Sequence, residues 1–376
     1  MKLFELIERF ETYCSPEYAM EGDFCGLQIG KKDSEVKRIL FTLDIRPEVV
    51  KEAIEQQIDL IIAKHAPIFR PIQSITDASA QDRMYLDLIK HEINVYVAHT
   101  NIDIVPDGLN DWFCEALDLQ VLDYLKATHY EKVKKLVFYI PQSHAENMRQ
   151  LLGDAKAGIQ GNYHHMSFSS EGLGRFEPNE LAKPTIGQAN QAQCVLEERV
   201  EVLIQEKYLP QVLKVLKENH PYEEVAFDLY DLAKESAAIT SYGIGRIGKL
   251  AKPESLEQFC QRVKAAFNLS DLRVIKPNDM SWQQSIQTVA ICGGSGEKFY
   301  REALQKQADV FITGDVYYHT AHDLQANRLI TLDPGHHIEV LFVQKVMKKF
   351  VDWKNQYQWD VELIPSKVNT NPFITI

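Results

Sequence analysis

The stretch Asp333-Pro334-Gly335-His336-His337-Ile338-Glu339 follows the apolar run Leu329-Ile330-Thr331-Leu332 and leads into a helical pattern from Ile338 to about Phe350. A strand that hands over to a helix in this way belongs to an α/β fold, and open α/β sheets keep their ligands at such junctions. Two earlier segments have the same form. Lys64-His65-Ala66-Pro67 follows Asp59-Leu60-Ile61-Ile62-Ala63, a continuous apolar run of the kind found in buried parallel strands. His99-Thr100-Asn101-Ile102-Asp103 follows Ile93-Asn94-Val95-Tyr96-Val97-Ala98. Helical spacing over Pro47 to Gln57, Arg83 to His91 and Gly108 to Leu117 alternates with these strands, which predicts mostly parallel sheets with flanking helices.

Around residue 128 the pattern changes. Lys134 to Ile140 reads as a strand and Ser143 to Leu152 as a helix. Ala157 to Phe168 reads as a hairpin-like turn region, Ser169 to Gln193 as loops and short strands. Val195 to Gln205 is then a strand, Leu209 to Asn219 a helix and Ala226 to Tyr230 a closing strand. Strand, helix, strands, helix, strand is the ferredoxin-like α+β arrangement, so residues 128–240 are expected to form an inserted domain. From Ser241 the first pattern returns, with strands at Ser285 to Ile291 and Asp309 to Thr313, a helix at Tyr318 to Ala326 and a last strand at Trp359 to Ile364. The α/β core is therefore expected to be discontinuous, residues 1–127 and 241–376.

The chain has 376 residues, 45% hydrophobic and 25% charged, the composition of a globular protein with room for more than one domain. A formal net charge of −12, without a Lys/Arg stripe interleaved with aromatics, argues against general nucleic-acid binding. Its six cysteines show no C-x-x-C spacing, which argues against a disulfide framework and a cysteine zinc site and fits a reducing cytoplasm. The segment Met1 to Phe10 carries acids within its apolar pattern and reads as an amphipathic helix, not a signal peptide. Membrane association is not expected, because no apolar run approaches the ~18 residues of a membrane span.

His336 and Glu339 stand three residues apart at a helix start, so an imidazole nitrogen and a carboxylate oxygen share one face. Alone, this motif reads more readily as a helix cap or surface turn. Together with His65, directed by the turn at Pro67, and Asp103, it makes two histidines and two carboxylates at three strand ends. That donor set suits zinc, iron or manganese better than magnesium. Lys64 is a poor ligand, since an ammonium carries only donors. Asp315, Tyr318, His319, His322 and Asp323 form a further polar cluster whose members are candidate partners for ligands or substrate. Gly293-Gly294-Ser295-Gly296 allows a phosphate cradle or simply a tight turn. No G-x-S-x-G elbow, Walker loop or dinucleotide fingerprint is present, which leaves metal-activated water as the favoured chemistry.

The sequence resembles the NIF3-like (DUF34) family, often labelled GTP cyclohydrolase 1 type 2 homologue, in its longer bacterial form. The resemblance is carried in order by Gly26-Leu27-Gln28-Ile29-Gly30, His65-Ala66-Pro67-Ile68-Phe69, Ala98 to Asp103, Gly245-Arg246-Ile247-Gly248, Gly293 to Gly296, Thr313-Gly314-Asp315 with His319, and Gly335-His336 with Glu339. The middle segment, with Gly161-Asn162-Tyr163, Gly172, Gly174 and His220-Pro221-Tyr222-Glu223-Glu224, looks like the PII/CutA-like insert of the longer members. The resemblance implies a homohexamer and a centre of one or two metal ions at His65, Asp103, His336 and Glu339, with His337 as a fallback ligand. Lys64 stands where the family pattern commonly has a histidine. The implied activity is hydrolysis of a nucleotide-like substrate such as GTP. Lys64 would steady negative charge and His99 move protons, with Asn101, Gly314, Asp315 and His319 nearby. The alternative is a non-catalytic metal protein whose insert senses a metabolite or binds a partner.

Overall fold

The computed structural model describes residues 1–233 and 241–374. The chain divides into two compact units, Met1–His129 with Tyr242–Ile376, and Tyr130–Ser241.

The first unit holds two sheets. The apolar runs that read as buried strands lie side by side in a five-stranded sheet, in the order Gly26–Ile29, Asn94–Val97, Leu60–Ala63, Arg38–Thr42, Glu362–Pro365. All its pairings are parallel except that of Gly26–Ile29 with Asn94–Val97. Alternate residues explain why the runs are continuously apolar. Ile39, Phe41, Leu60, Ile62 and Tyr96 enter one cluster, while Leu40, Ile61, Ala63, Val95 and Val97 enter another with Val49, Val50, Met84 and Leu88 of the helices Pro47–Glu55 and Ala80–Lys90. Both faces are covered, so no polar alternation survives.

The second sheet runs Arg273–Ile275, Ile330–Asp333, Val310–Ile312, Ser285–Ile291, Ser241–Ser255, Leu119–Tyr130. Three of its strands, Ser285–Ile291, Val310–Ile312 and Ile330–Asp333, pair in parallel; Arg273–Ile275 pairs antiparallel with Ile330–Asp333, and Ser241–Ser255 antiparallel with Ser285–Ile291. This sheet is mixed, where mostly parallel pairing was expected. One large core joins the two sheets: Val289, Ile291, Val310, Ile312 and Leu332 share it with Ile39, Phe41 and Leu60, and with Phe10, Phe113, Phe259 and Phe350 of four intervening helices. The long strands Leu119–Tyr130 and Ser241–Ser255 are legible as neither strand nor helix in the sequence. The first is a largely exposed edge and the second is rich in glycine. Those glycines permit close pairing: a Cβ on Gly243 would lie 2.3 Å from Lys126 O.

Arg246 fixes this pairing from within. It is 1% exposed, and its guanidinium grips Asp111 with Nε–Oδ1 at 2.6 Å and Nη2–Oδ2 at 2.7 Å while donating to the carbonyls of Gly243, Gly245 and Val105.

In the second unit the strands lie in the order Phe168–Phe176, Gln193–Gln205, Val133–Pro141, Phe227–Asp231, every pair antiparallel. The helices Gln142–Asp154 and Leu209–Asn219 bury Ala145, Met148, Leu152, Val212 and Leu216 against Leu136, Phe138, Ile140, Val200, Val202 and Ile204. The nine-residue strand Phe168–Phe176 lies in a region expected to hold loops and short strands; its polar, glycine-bearing sequence hides it. The hairpin expected at Ala157 to Phe168 is reduced to one bridge between Gln160 and Tyr163. No helix among the described residues is long and apolar enough to cross a membrane.

Candidate metal centre

The carboxyl ends of parallel strands from both sheets of the first unit converge. Leu60–Ala63 delivers Lys64 and His65, Asn94–Val97 delivers His99, Val310–Ile312 delivers Gly314 and Asp315, and Ile330–Asp333 delivers His336. The segment His336–Val340 is a 3-10 helix rather than the start of the α-helix, which begins at Leu341. The difference helps the site, because side chains three apart in a 3-10 helix eclipse one another. Glu339 Oε2 therefore comes within 3.3 Å of His336 Nε2. Gly335, at φ +81°, makes the turn that an L side chain rarely adopts.

His65 completes the cluster. Its Nε2 lies 2.8 Å from Glu339 Oε2 and 3.3 Å from His336 Nε2. Each imidazole is pinned by its other nitrogen: His65 Nδ1 to Asp44 at 2.7 Å, His336 Nδ1 to Asp315 at 2.6 Å. When Nδ1 donates to a carboxylate, Nε2 of a neutral imidazole presents its lone pair. Two such lone pairs and a carboxylate oxygen thus face the same small space, and the three donor atoms lie within 4.8 Å of one another. Acceptors do not gather in this way without a proton or a cation among them. In the metal-free arrangement protons do it: the bond to Glu339, reinforced by Asp315, pushes His336 up to about 9. His65 is also raised, its bonds to Asp44 and Glu339 outweighing burial. Two nitrogens and one oxygen suit zinc, iron or manganese, so the residues fit a divalent ion.

Asp103, expected as a ligand, pairs with Lys64. It sits in the short helix Thr100–Ile104, and its Oδ2 accepts from Lys64 Nζ at 3.1 Å. Its Oδ1 is buried without a hydrogen-bond partner. Lys64 Nζ also lies 3.6 Å from Glu339 Oε2. Burial alone lowers the lysine, but Asp103 and Glu339 reverse this and hold it above the ordinary range as an ammonium. Glu339 stays ionised despite burial, since Lys64, His336 and His65 hold it well below the usual carboxylate range.

His99 forms a third carboxylate–imidazole pair, Nδ1 to Asp23 Oδ1 at 2.8 Å, with its ring 5.8 Å from that of His65. Thr100 N–H and hydroxyl also donate to Asp23, which with the His99 bond outweighs burial and keeps that carboxyl low. Asn101 turns inward and donates to Cys14 O at 3.2 Å, a structural latch. Of the 315–323 cluster, Asp315 alone has a described bond to the centre. His319 is exposed on the helix Tyr318–Ala326, edge-on to Tyr317 and Tyr318. His337 is half-buried and lines a cleft of about 1060 Å³ beside His336 and Asp315, and burial lowers it.

Two N–H groups of the glycine loop are already engaged within the protein. Gly293 N–H donates to Asn110 Oδ1 at 3.0 Å, Gly296 N–H to Thr313 Oγ1 at 2.9 Å, and Gly294 O accepts from Gly314 N–H at 2.9 Å. Its glycines admit the centre's carboxylate: a Cβ on Gly294 would stand 3.0 Å from Glu339 Oε1. Asp44 and Asp23 escaped the sequence reading, although Asp44 closes the strand Arg38–Thr42 in the same way that His65 closes its neighbour.

A family model described as "Duf34/NIF3 (NGG1p interacting factor 3)" matches residues 1–372. The chain is 38% identical, over 98% of its length and 97% of the relative's, to a Bacillus subtilis protein named "GTP cyclohydrolase 1 type 2 homolog". A Listeria monocytogenes protein of the same name is 40% identical over 98% of both chains. Among solved structures, a Bacillus cereus protein related to NIF3 superposes with a TM-score of 0.88 at 38% identity, covering 100% of this chain and 99% of that one. Staphylococcus aureus protein SA1388 gives 0.81 at 28% identity with the same coverage.

Proposed function

The chain belongs to the Duf34/NIF3 family, and from that premise we propose that it is a divalent-metal-dependent hydrolase acting on a nucleotide-like substrate. The observation that carries this reading is the convergence of His65 Nε2, His336 Nε2 and Glu339 Oε2, each imidazole oriented by a carboxylate. A divalent ion held by these three residues supplies Lewis acidity, polarising an electrophilic centre and lowering the pKa of water. The protein's own groups do the rest. Asp44 and Asp315 orient the imidazoles, the Lys64 ammonium steadies negative charge, and His99, anchored on Asp23, has Nε2 left to accept or donate a proton. The adjoining cleft has room for a nucleotide-sized ligand, and Asn268, Asn369 and Asn371 bring amides to its wall; its charged lining is Arg273 and Lys367 against Asp271, Asp315 and Asp333, with Arg273 paired to Asp333. The relatives' names suggest GTP or a purine nucleotide.

The test is turnover of GTP and a nucleotide panel by metal-loaded protein, with His65→Ala as control. Activity falling at least a hundredfold in the variant is expected; no turnover above the variant's refutes the enzymatic reading.

A second reading, a regulatory metal protein, is favoured by the Tyr130–Ser241 unit. Its βαββαβ order is of the ferredoxin-like, PII/CutA-like kind, and it holds a cleft of about 710 Å³ lined by Tyr139, Phe176, Tyr222 and Glu197. Metabolite-induced thermal stabilisation abolished by Tyr222→Ala, without any nucleotide turnover, supports that reading. Assembly as a homohexamer in the cytoplasm is part of the proposal, to be checked by light scattering and fractionation.

A further inference from the structure

Lys64 is a charged side chain where a lysine is hard to accommodate. It follows the buried strand Leu60–Ala63, and its backbone N–H still donates to Thr42 O at 3.3 Å, so the sheet aims the side chain inward. An ammonium removed from water is strongly unfavourable unless it is paired and hydrogen-bonded. Here Nζ lies 3.1 Å from Asp103 Oδ2 and 3.6 Å from Glu339 Oε2. That glutamate oxygen is the one facing His65 and His336. A single carboxylate oxygen is therefore shared between the nitrogen donors and a fixed positive charge.

The sharing decides how many ions the centre can hold. With both carboxylates ionised, Lys64, Asp103 and Glu339 together carry one net negative charge, which a divalent ion at the imidazole side would turn to one positive. An ion ligated by Asp103 Oδ2 and Glu339 Oε2 would have to displace Nζ, because the lysine already occupies the approach to both oxygens. The lysine cannot simply swing into water, since its side chain is sealed in the core with Asp103 and Glu339. Asp103 is absent from the group of donors that lie mutually close enough to hold one ion.

We propose that the Lys64 ammonium is this centre's resident second cation. The chain then takes one divalent ion, at His65, His336 and Glu339, and Asp103 is the lysine's counter-charge and not a ligand. The proposal rests on the reading of the centre as a metal site. With the lysine removed, Asp103 would have both oxygens to offer a second ion, its Oδ1 being buried without a hydrogen-bond partner.

The experiment is calorimetric titration of metal-free, full-length protein with Zn²⁺ and with Mn²⁺, paired with elemental analysis after desalting. Wild type is expected to bind one ion per chain, and Lys64→His and Lys64→Ala two. Two ions in wild type overturn the proposal, as does a count that stays at one in both folded variants. No binding by wild type refutes instead the metal-site reading beneath it, so the two failures are distinguishable. Should neither Lys64 variant fold, as judged by circular dichroism, Asp103→Asn decides. One ion bound with affinity within a hundredfold of wild type supports a counter-charge, and loss of the ion makes Asp103 a ligand.

Discussion

Metal binding at this centre should release protons and strengthen steeply with pH. In the metal-free protein the bond to Glu339, aided by Asp315, raises His336 to about 9, and His65 is shifted the same way. At pH 7 the His336 proton is thus almost fully bound and an incoming ion must displace it. Two pH units below the pKa correspond to about a hundredfold loss of apparent affinity, roughly 2.7 kcal/mol. The side chain is 35% exposed, so solvent screening reduces this, and a rise of about ten- to a hundredfold between pH 7 and pH 9 is expected. The sign for the metal-free fold is opposite. A histidine raised on folding stabilises below its unfolded pKa of about 6.5, and that stabilisation is lost as pH rises through about 9. Calorimetry in two buffers of different ionisation heat should count about one or more protons released per ion at pH 7. Chelator competition at several pH values should give a slope near one decade per unit, levelling off near pH 9. Equal affinities at pH 7 and 9 with no proton release would refute the assignment of His336 as a ligand. In Asp315→Asn the levelling should move to lower pH, because one of the two carboxylates that raise His336 is gone.

Asp44→Asn should cost about 10- to 100-fold in metal affinity at high pH, because it removes the partner that orients His65; an unchanged affinity by chelator competition would dismiss that role. Gly314→Ala should lower metal affinity at least tenfold and reduce thermal stability, since its Cβ would stand 2.9 Å from the backbone nitrogen of His336. Gly335→Ala, strained only by its φ of +81° with nothing within 4 Å of the added carbon, should cost about 1–2 kcal/mol in stability and leave that space open. Arg246→Met should destabilise the first unit by about 3–5 kcal/mol in urea titration, because Asp111 and three carbonyls lose a buried partner; a loss below about 1 kcal/mol would show that the pairing is dispensable.

What the sequence discloses of this molecule follows from burial. Strands covered on both faces, such as Leu60–Ala63 and Val310–Ile312, are continuous apolar runs and are legible; so are the helices whose stripes cover them. Leu119–Tyr130 and Phe168–Phe176 are not, because an exposed strand stabilised by its neighbours' backbone need not alternate apolar and polar residues. The same principle divides the centre. His65 and His336 stand at the ends of legible strands, so their convergence could be anticipated from the rule that such sheets bind at their carboxyl ends. Asp44 and Asp23 could not, since a carboxylate at a strand end or in a glycine-bearing loop has many reasons to be there. Only the arrangement of strands shows which imidazole each one meets, across 21 residues for Asp44 and 76 for Asp23. The Asp103 expectation rests on the same rule. Position along the chain brings that carboxylate to the centre, and in this structure its partner there is the Lys64 ammonium. A buried cation built into the chain competes with a metal ion for such a carboxylate, and the ion count of wild type against Lys64→Ala decides between them.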